Sequence, residues 1–307
     1  MNSNELNYFL TIAREGSLTT AAEKLFITQP TLTKYIQRLE KDVGLTLFRR
    51  VGKKLMLTYA GERYKSYAEK LVQLQLDMDL EMNDLRENGV TRLRVGIPPF
   101  RCSYVLPWVL PEFKKLHPNV RFELIEDASA SLDKALLQGD IDLAIYNLFE
   151  PLPQLDYTLL EHDRFYAVLP QGHPVKDKAV YPEDGGPGEI PLELLQDEIF
   201  IIQSRKQRSG QFIHQQMKNI NFTPKRILES SNIRAAGLLA ANGYGVSFMC
   251  ASLLRRFQGA SRCDVYRIAD CDMALDLVAA SRKDAYLPVC ARDFIELVRE
   301  CNLRSPD

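Results

Sequence analysis

The chain lacks any run approaching the roughly 18 consecutive apolar residues of a membrane-spanning helix. Its first residues carry none of the basic-then-apolar patterning of a secretory signal. Both absences point to a cytoplasmic protein with no membrane partner. The six cysteines, Cys102, Cys250, Cys263, Cys271, Cys290 and Cys301, include no CxxC pair and no regular framework, which reads as free thiols in a reducing compartment. The four histidines, His117, His162, His173 and His214, share no metal-ligand spacing with one another or with the cysteines. Neither a metal site nor a cofactor is therefore expected. The GxSxG elbow, the Walker lysine loop and the HExxH helix are missing. The "GYG" at 243–245 fails as a dinucleotide loop because Phe248 stands where the third glycine belongs. No nucleophile or acid–base pair can be assembled, so no catalytic residue is assigned and the chain does not read as an enzyme.

One further scarcity is local. In "TQPTLTKYIQRLE", residues 28–40, there is no carboxylate until Glu40. Ile27, Leu32, Ile36 and Leu39 recur at helical spacing and face a core. The opposite face, Gln29, Thr31, Thr33, Lys34 and Gln37, is rich in hydrogen-bond donors, whereas solvated helix faces ordinarily mix both signs of charge. The net charge of −1 conceals a matching asymmetry: residues 1–65 hold 11 Lys and Arg against 6 acids, leaving an acidic remainder. A basic head on an acidic body suits a polyanion-binding domain joined to something else.

What surrounds that helix gives it a context. Leu6, Phe9, Leu10 and Ala13 form the apolar stripe of a first helix that Gly16 stops, and Ser17 caps a second containing Ala21, Ala22 and Leu25. Thr28 caps the third, with Pro30 in its first turn. After Gly44, "LFRRVGKKLMLTYAG" holds short apolar runs around Leu47–Phe48 and Leu55–Leu57 joined by a basic turn, the pattern of a two-stranded hairpin. Three helices and a basic hairpin make a winged helix-turn-helix, residues 1–58, whose third helix enters the DNA major groove while the hairpin lies over phosphate. The donor-rich face then meets base edges and phosphates, where a carboxylate would be repelled.

Residues 59–88 read as one long linker helix. Tyr64, Leu71, Met78 and Leu85 are spaced by seven, with Tyr67 and Leu74 between them, which is a coiled-coil seam for a dimer; Glu81, beside Met82, breaks it near the end. From residue 91 to 307 strands and helices alternate, from "RLRVGI" through "IDLAIYN" and from "FYAVLP" through "YGVSFMC", then back through "DVYRI" and "LDLVAAS". This predicts parallel sheets in two lobes, about 91–162 with 268–307 and about 163–267, an α/β domain of periplasmic-binding-protein type. Ligands of such folds sit at the carboxyl ends of strands, here the loops after Ile97, Asp127, Ile145 and Ile202.

The segment "YFLTIAREGSLTTAAEKLFITQPTLTKYIQRLEKDVGLTLFRR", with "LTYAG", resembles the LysR-type transcriptional regulators, and "LRVGI", "LPEFKKLHPNV", "LLQGDIDLAI", "HPV" and "GYGVSF" extend the likeness over nearly the whole chain. The resemblance implies a ligand-responsive regulator, a homodimer or homotetramer that binds double-stranded promoter DNA and changes its grip when a small molecule enters the interlobe cleft. By position in the motif it assigns DNA contacts to Gln29, Pro30, Thr33 and Lys34, with Arg50, Lys53 and Lys54 at the wing. Thr33 and Lys34 stand where the family usually has Ser and Arg. Lys cannot make the bidentate contact to guanine that Arg makes. Arg49 replaces a residue that is often acidic.

Within the cleft, loop "PPFRCS" precedes a helix expected to begin near Ser103, and "QSRKQRS" precedes one near Ser209. Two helix N-termini aimed at one cleft favour an anion such as a carboxylate. Pro99, Cys102, Ser103, Ser129, Asn147, Gln203 and Ser204 are the expected effector-binding positions, with Arg101 or Arg205 as countercharge. Cys102 has no resolving partner and reads as a bystander thiol. A solute-binding protein and an enzyme built in the cleft remain rival readings of the two-lobed half.

Overall fold

Gly16 and Gly44 adopt left-handed backbone, φ +62° and +72°, where the sequence places helix stops. They bound α1 (Ser3–Glu15), α2 (Leu18–Lys24) and α3 (Gln29–Val43). The computed structural model describes residues 3–52, 54–86, 92–183, 185–269, 271–283 and 285–303, and the chain divides into two units, Met1–Arg86 and Glu87–Asp307. Ser17 caps α2, its hydroxyl accepting from Thr20 N at 3.4 Å. Thr28 holds the cap position of α3, yet its hydroxyl makes no bond to the helix backbone and pairs with the Thr31 hydroxyl at 2.8 Å. Leu6, Phe9, Ile12, Leu32, Ile36 and Leu39 are buried together as the core of this unit.

The hairpin is β1 (Phe48–Val51) and β2 (Lys54–Leu57), antiparallel from Phe48 opposite Leu57 to Val51 opposite Lys54. Glu40 Oε1 accepts from Leu47 N at 2.7 Å and Phe48 N at 3.0 Å. The one acid at the end of the donor-rich stretch therefore anchors the wing to α3. Thr58 then starts α4 (Tyr59–Asp84), accepting from Gly61 N at 3.0 Å and donating to Thr46 O at 2.7 Å. Gly61 has to be glycine, because a Cβ there would stand 2.0 Å from Leu47 O. Tyr64 departs from the seam that its spacing assigns it to: its ring packs edge-on against Phe9 at 4.6 Å, and the buried Ala68 follows it into the head's core. Tyr67, Leu71, Leu74, Met78 and Leu85 are exposed.

The second unit begins with β3 (Arg92–Ile97), α5 (Pro99–Leu116), β4 (Arg121–Glu126), α6 (Ser129–Gln138), β5 (Leu143–Asn147) and β6 (Leu155–Pro170). It continues with β7 (Glu189–Ile190), β8 (Ile199–Gln203), α7 (Arg208–Asn219), β9 (Arg226–Ser230), α8 (Ile233–Ala241), β10 (Val246–Cys250) and α9 (Ala251–Leu254). It closes with β11 (Cys263–Ile268), β12 (Ala274–Arg282) and α10 (Val289–Leu303). The strand order is β4-β3-β5-β12-β6-β10-β8-β9, with β11 beside β6. Alternation predicts parallel sheets, and β3, β4 and β5 are parallel, as are β8, β9 and β10. β6 and β12 depart from that expectation. β6 leaves the first lobe and β12 returns to it, and the two pair antiparallel from Leu155 to Arg164. The rest of β6 pairs with β10 and β11 in the second lobe, so one strand serves both sheets. α5 and α10 cover one face of the first lobe through Val105, Val109, Phe113, Phe294 and Val298.

A further correction concerns α5, which begins at Pro99 rather than near Ser103. Proline suits the first helical position because its φ is preset and its missing N–H has no partner to lose. Ser103 consequently lies in the second turn, its hydroxyl donating to Phe100 O at 2.7 Å. No helix among the described residues is long and apolar enough to cross a membrane.

Candidate functional site

Two surfaces collect the residues singled out by the sequence, one in each unit. On α3, Gln29, Pro30, Thr31, Lys34 and Gln37 are exposed and Thr33 is half-buried. Thr33 Oγ1 donates to the Gln29 main-chain O at 3.1 Å and accepts from Gln29 Nε2 at 3.0 Å, which ties the Gln29 side chain to the next turn of the helix. The neighbouring Arg38 is tied to Glu5 on α1. Arg49, Arg50 and Lys54 are exposed on the hairpin, and Lys53 lies outside the described residues. A hydrogen-bonding helix face beside a basic ribbon can follow a groove and its flanking phosphates.

In the second unit the structure distributes the expected effector residues unevenly. Arg101 is buried and already engaged. Its guanidinium donates to Asn147 Oδ1 at 2.6 Å and to Ser252 Oγ at 3.3 Å, and stands 3.5 Å from Asp163 Oδ2. Asp163, fully buried, accepts in turn from Ser252 N at 3.0 Å and Ser252 Oγ at 2.5 Å. Arg101 and Asn147 thus belong to an interlobe lock whose charges cancel internally. Cys102 faces Glu126; burial and that carboxylate push its thiol up to about 11, away from the reactive range. Pro99 is exposed and Ser129 half-buried at the start of α6. Ser204 Oγ accepts from Lys206 N at 3.4 Å, and Arg205 is exposed, with Nη2 3.4 Å from His214 Nδ1. Gln203, at the end of β8, is only 1% exposed, and both polar atoms of its amide lack a partner.

The strongest feature of the cleft is one that the sequence did not flag. Arg208, in the first turn of α7, forms an ion pair with Asp133 of α6, joining the two lobes. Tyr146 of β5 donates to Asp133 Oδ1 at 2.5 Å, and the Arg208 guanidinium lies over the Tyr146 ring, 4.4 Å from its centre. Burial and the adjacent carboxylate hold the Tyr146 phenol well above its ordinary range, so it remains a donor. One guanidinium nitrogen of Arg208 is buried without a partner. Asp133 is thus a buried carboxylate held by Arg208 and Tyr146. Only the unusual burial of an Asp inside "LDKALLQ" marks it, and that is invisible in one dimension.

Comparison with known proteins assigns a family to each of the two units. Residues 3–62 match the family described as "Bacterial regulatory helix-turn-helix protein, lysR family", and residues 86–302 match "LysR substrate binding domain". The chain is similar to an uncharacterized HTH-type transcriptional regulator, YcgK, of Bacillus subtilis, at 28% identity over 98% of this chain and 94% of that protein. It is also similar to the HTH-type transcriptional regulator BenM of Acinetobacter baylyi, at 29% identity over 82% of this chain and 81% of that one. Among solved structures, full-length BenM superposes with a TM-score of 0.58 at 26% identity, covering 100% of this chain and 99% of that one. A full-length OxyR variant from Pseudomonas aeruginosa gives a TM-score of 0.68 at 22% identity, covering 98% of this chain and 94% of that one, a likeness of fold.

Proposed function

The chain belongs to the LysR family of transcription regulators, whose members join a DNA-binding helix-turn-helix to an effector-binding domain, and from that premise we propose how this member reads DNA and what it senses. It acts in the cytoplasm by binding rather than by catalysis, as a dimer or tetramer on promoter DNA. Gln29, Pro30, Thr31, Lys34 and Gln37 face the duplex, with Thr33 orienting Gln29, and Arg50, Lys53 and Lys54 meet phosphate. The exposed apolar stripe Leu71, Leu74 and Met78 on α4 supports a second copy of this chain as the partner that covers it.

The effector is a small anion, a carboxylate above all, and the observation that carries this is the Arg208–Asp133 pair. An incoming carboxylate replaces Asp133 on Arg208, with Tyr146, Gln203 and Ser129 within the same cleft. Because the displaced pair joins the lobes, the ligand binds one lobe arrangement better than the other, which is what a population shift requires. The test is thermal stability of the full chain against a panel of small mono- and dicarboxylates and their matching amides. A carboxylate at a hundredfold excess over its Kd stabilises by about 2.7 kcal/mol, its amide does not, and Arg208→Gln removes the effect. Stabilisation that survives Arg208→Gln, or that the amide reproduces, overturns the assignment.

A further inference from the structure

Ser103 is exposed in the second turn of α5. It opens onto a cavity of about 430 Å³, walled by Ser103, Tyr104 and Trp108 of α5 from one lobe and by Arg234, Arg256 and Phe257 from the other. That volume is in the range of small-molecule sites. The cavity shares no lining residue with the Arg208–Asp133 pair.

Its polar groups are predominantly donors. Arg234, in the first turn of α8, donates to the neutral amide oxygen of Gln258. Arg255 donates through Nη2 to both oxygens of Glu161 at 2.7 Å, while its Nε–H is buried and unbonded. The Tyr104 hydroxyl is likewise buried without a partner. Arg256 lies 6.0 Å above the centre of the Trp108 ring and donates to Cys301 O at 2.7 Å. The acid beside this group, Glu161, is already engaged by Arg255. Buried donors lacking acceptors are costly, and a charged oxygen satisfies them best. The rings of Tyr104, Trp108 and Phe257 offer a flat apolar body somewhere to pack.

We propose that this cavity is a second ligand site, for a carboxylate or phosphate carrying a flat apolar group, held by Arg234, Arg255 Nε and the Tyr104 hydroxyl with its ring beside Trp108. Its walls come from both lobes, so occupancy bears on the lobe arrangement independently of the cleft. Trp108 is the only tryptophan in the chain, which makes intrinsic fluorescence of the full-length protein a local reporter. Phenylacetate or phenyl phosphate should change the emission saturably, and neutral phenylacetamide should not. Phenylacetate and phenyl phosphate separate the carboxylate and phosphate arms. Arg234→Gln should weaken the response roughly tenfold through loss of a charge-assisted contact, and Tyr104→Phe, which removes one oxygen and keeps the ring, should weaken it in the same direction. Arg208→Gln should leave it unchanged, whether or not the cleft binds an effector. Absence of a saturable response to both anions, an equal response to phenylacetamide, or an undiminished response in both Arg234→Gln and Tyr104→Phe overturns the proposal. A response abolished by Arg208→Gln would also overturn it, by showing one site instead of two.

Discussion

Gln29 and Thr33 hold one another in place before any DNA arrives, through two hydrogen bonds across one turn of α3. The consequence is a preset amide, so in the proposed reading Thr33 acts on base recognition through Gln29. Thr33→Val, which keeps the shape and removes the hydroxyl, should lower operator preference by about 0.5 to 1.5 kcal/mol, the range of a single hydrogen bond, while Thr33→Ser retains it. Fluorescence anisotropy on operator and scrambled duplexes checks both; equal loss in the two variants would remove Thr33 from base reading. Lys34 is exposed and, among the described residues, in no ion pair. Lys34→Ala should lower the preference for one operator base pair by about 1 to 3 kcal/mol, and an equal loss on random duplex would make it a phosphate contact. These residues could be read from the sequence because a helix face is local: spacing alone brings Gln29 beside Thr33. Arg208 and Asp133 could not, since they stand 75 residues apart and meet only after both lobes have formed. Remoteness in sequence likewise hid Asp163, whose pairing turns Arg101 from an expected countercharge into part of a lock.

At the scale of elements, α4 changes role along its length. Its first turns are seated on the head by Thr58, Gly61, Tyr64 and Ala68, and farther along the exposed Leu71, Leu74 and Met78 form the stripe proposed as the dimer seam. Leu71→Glu with Met78→Glu should therefore raise the dimer dissociation constant at least roughly tenfold, since like charges would face each other across the seam, without unfolding the head. Sedimentation equilibrium measures the first, and circular dichroism the second. An unchanged association would place the dimer contact elsewhere. Periodicity announced the helices of both units and most strands of the second, because each is set by spacing of apolar residues over a short window. It misplaced the start of α5, where two prolines act at the first turn instead of breaking the chain. It also missed that β6 runs unbroken from one lobe into the other, as no local signal records which partner a strand changes to.

For the whole molecule, the carboxylate effector proposed above would make the interlobe pair the unliganded chain's own substitute for it. Asp133→Asn should then have two opposite effects: a lower Tm, because Arg208 loses its charged partner in a partly buried site, and tighter binding of the proposed carboxylate, because its internal competitor is weakened. Calorimetric unfolding and a binding isotherm on the same sample test the pair, and a Tm loss with unchanged or weaker binding would deny Asp133 the role of competitor. A different consequence follows from β12. This strand lies between β5 and β6 in the first lobe, yet it is made after all of the second. As the chain emerges from the ribosome, the second lobe has every strand it needs by Ile268, while the sheet of the first still has a gap at its centre. The earlier lobe in the sequence is the later one to finish, so a nascent chain stopped short of Ala274–Arg282 would carry a second lobe with all its own strands beside an open first one.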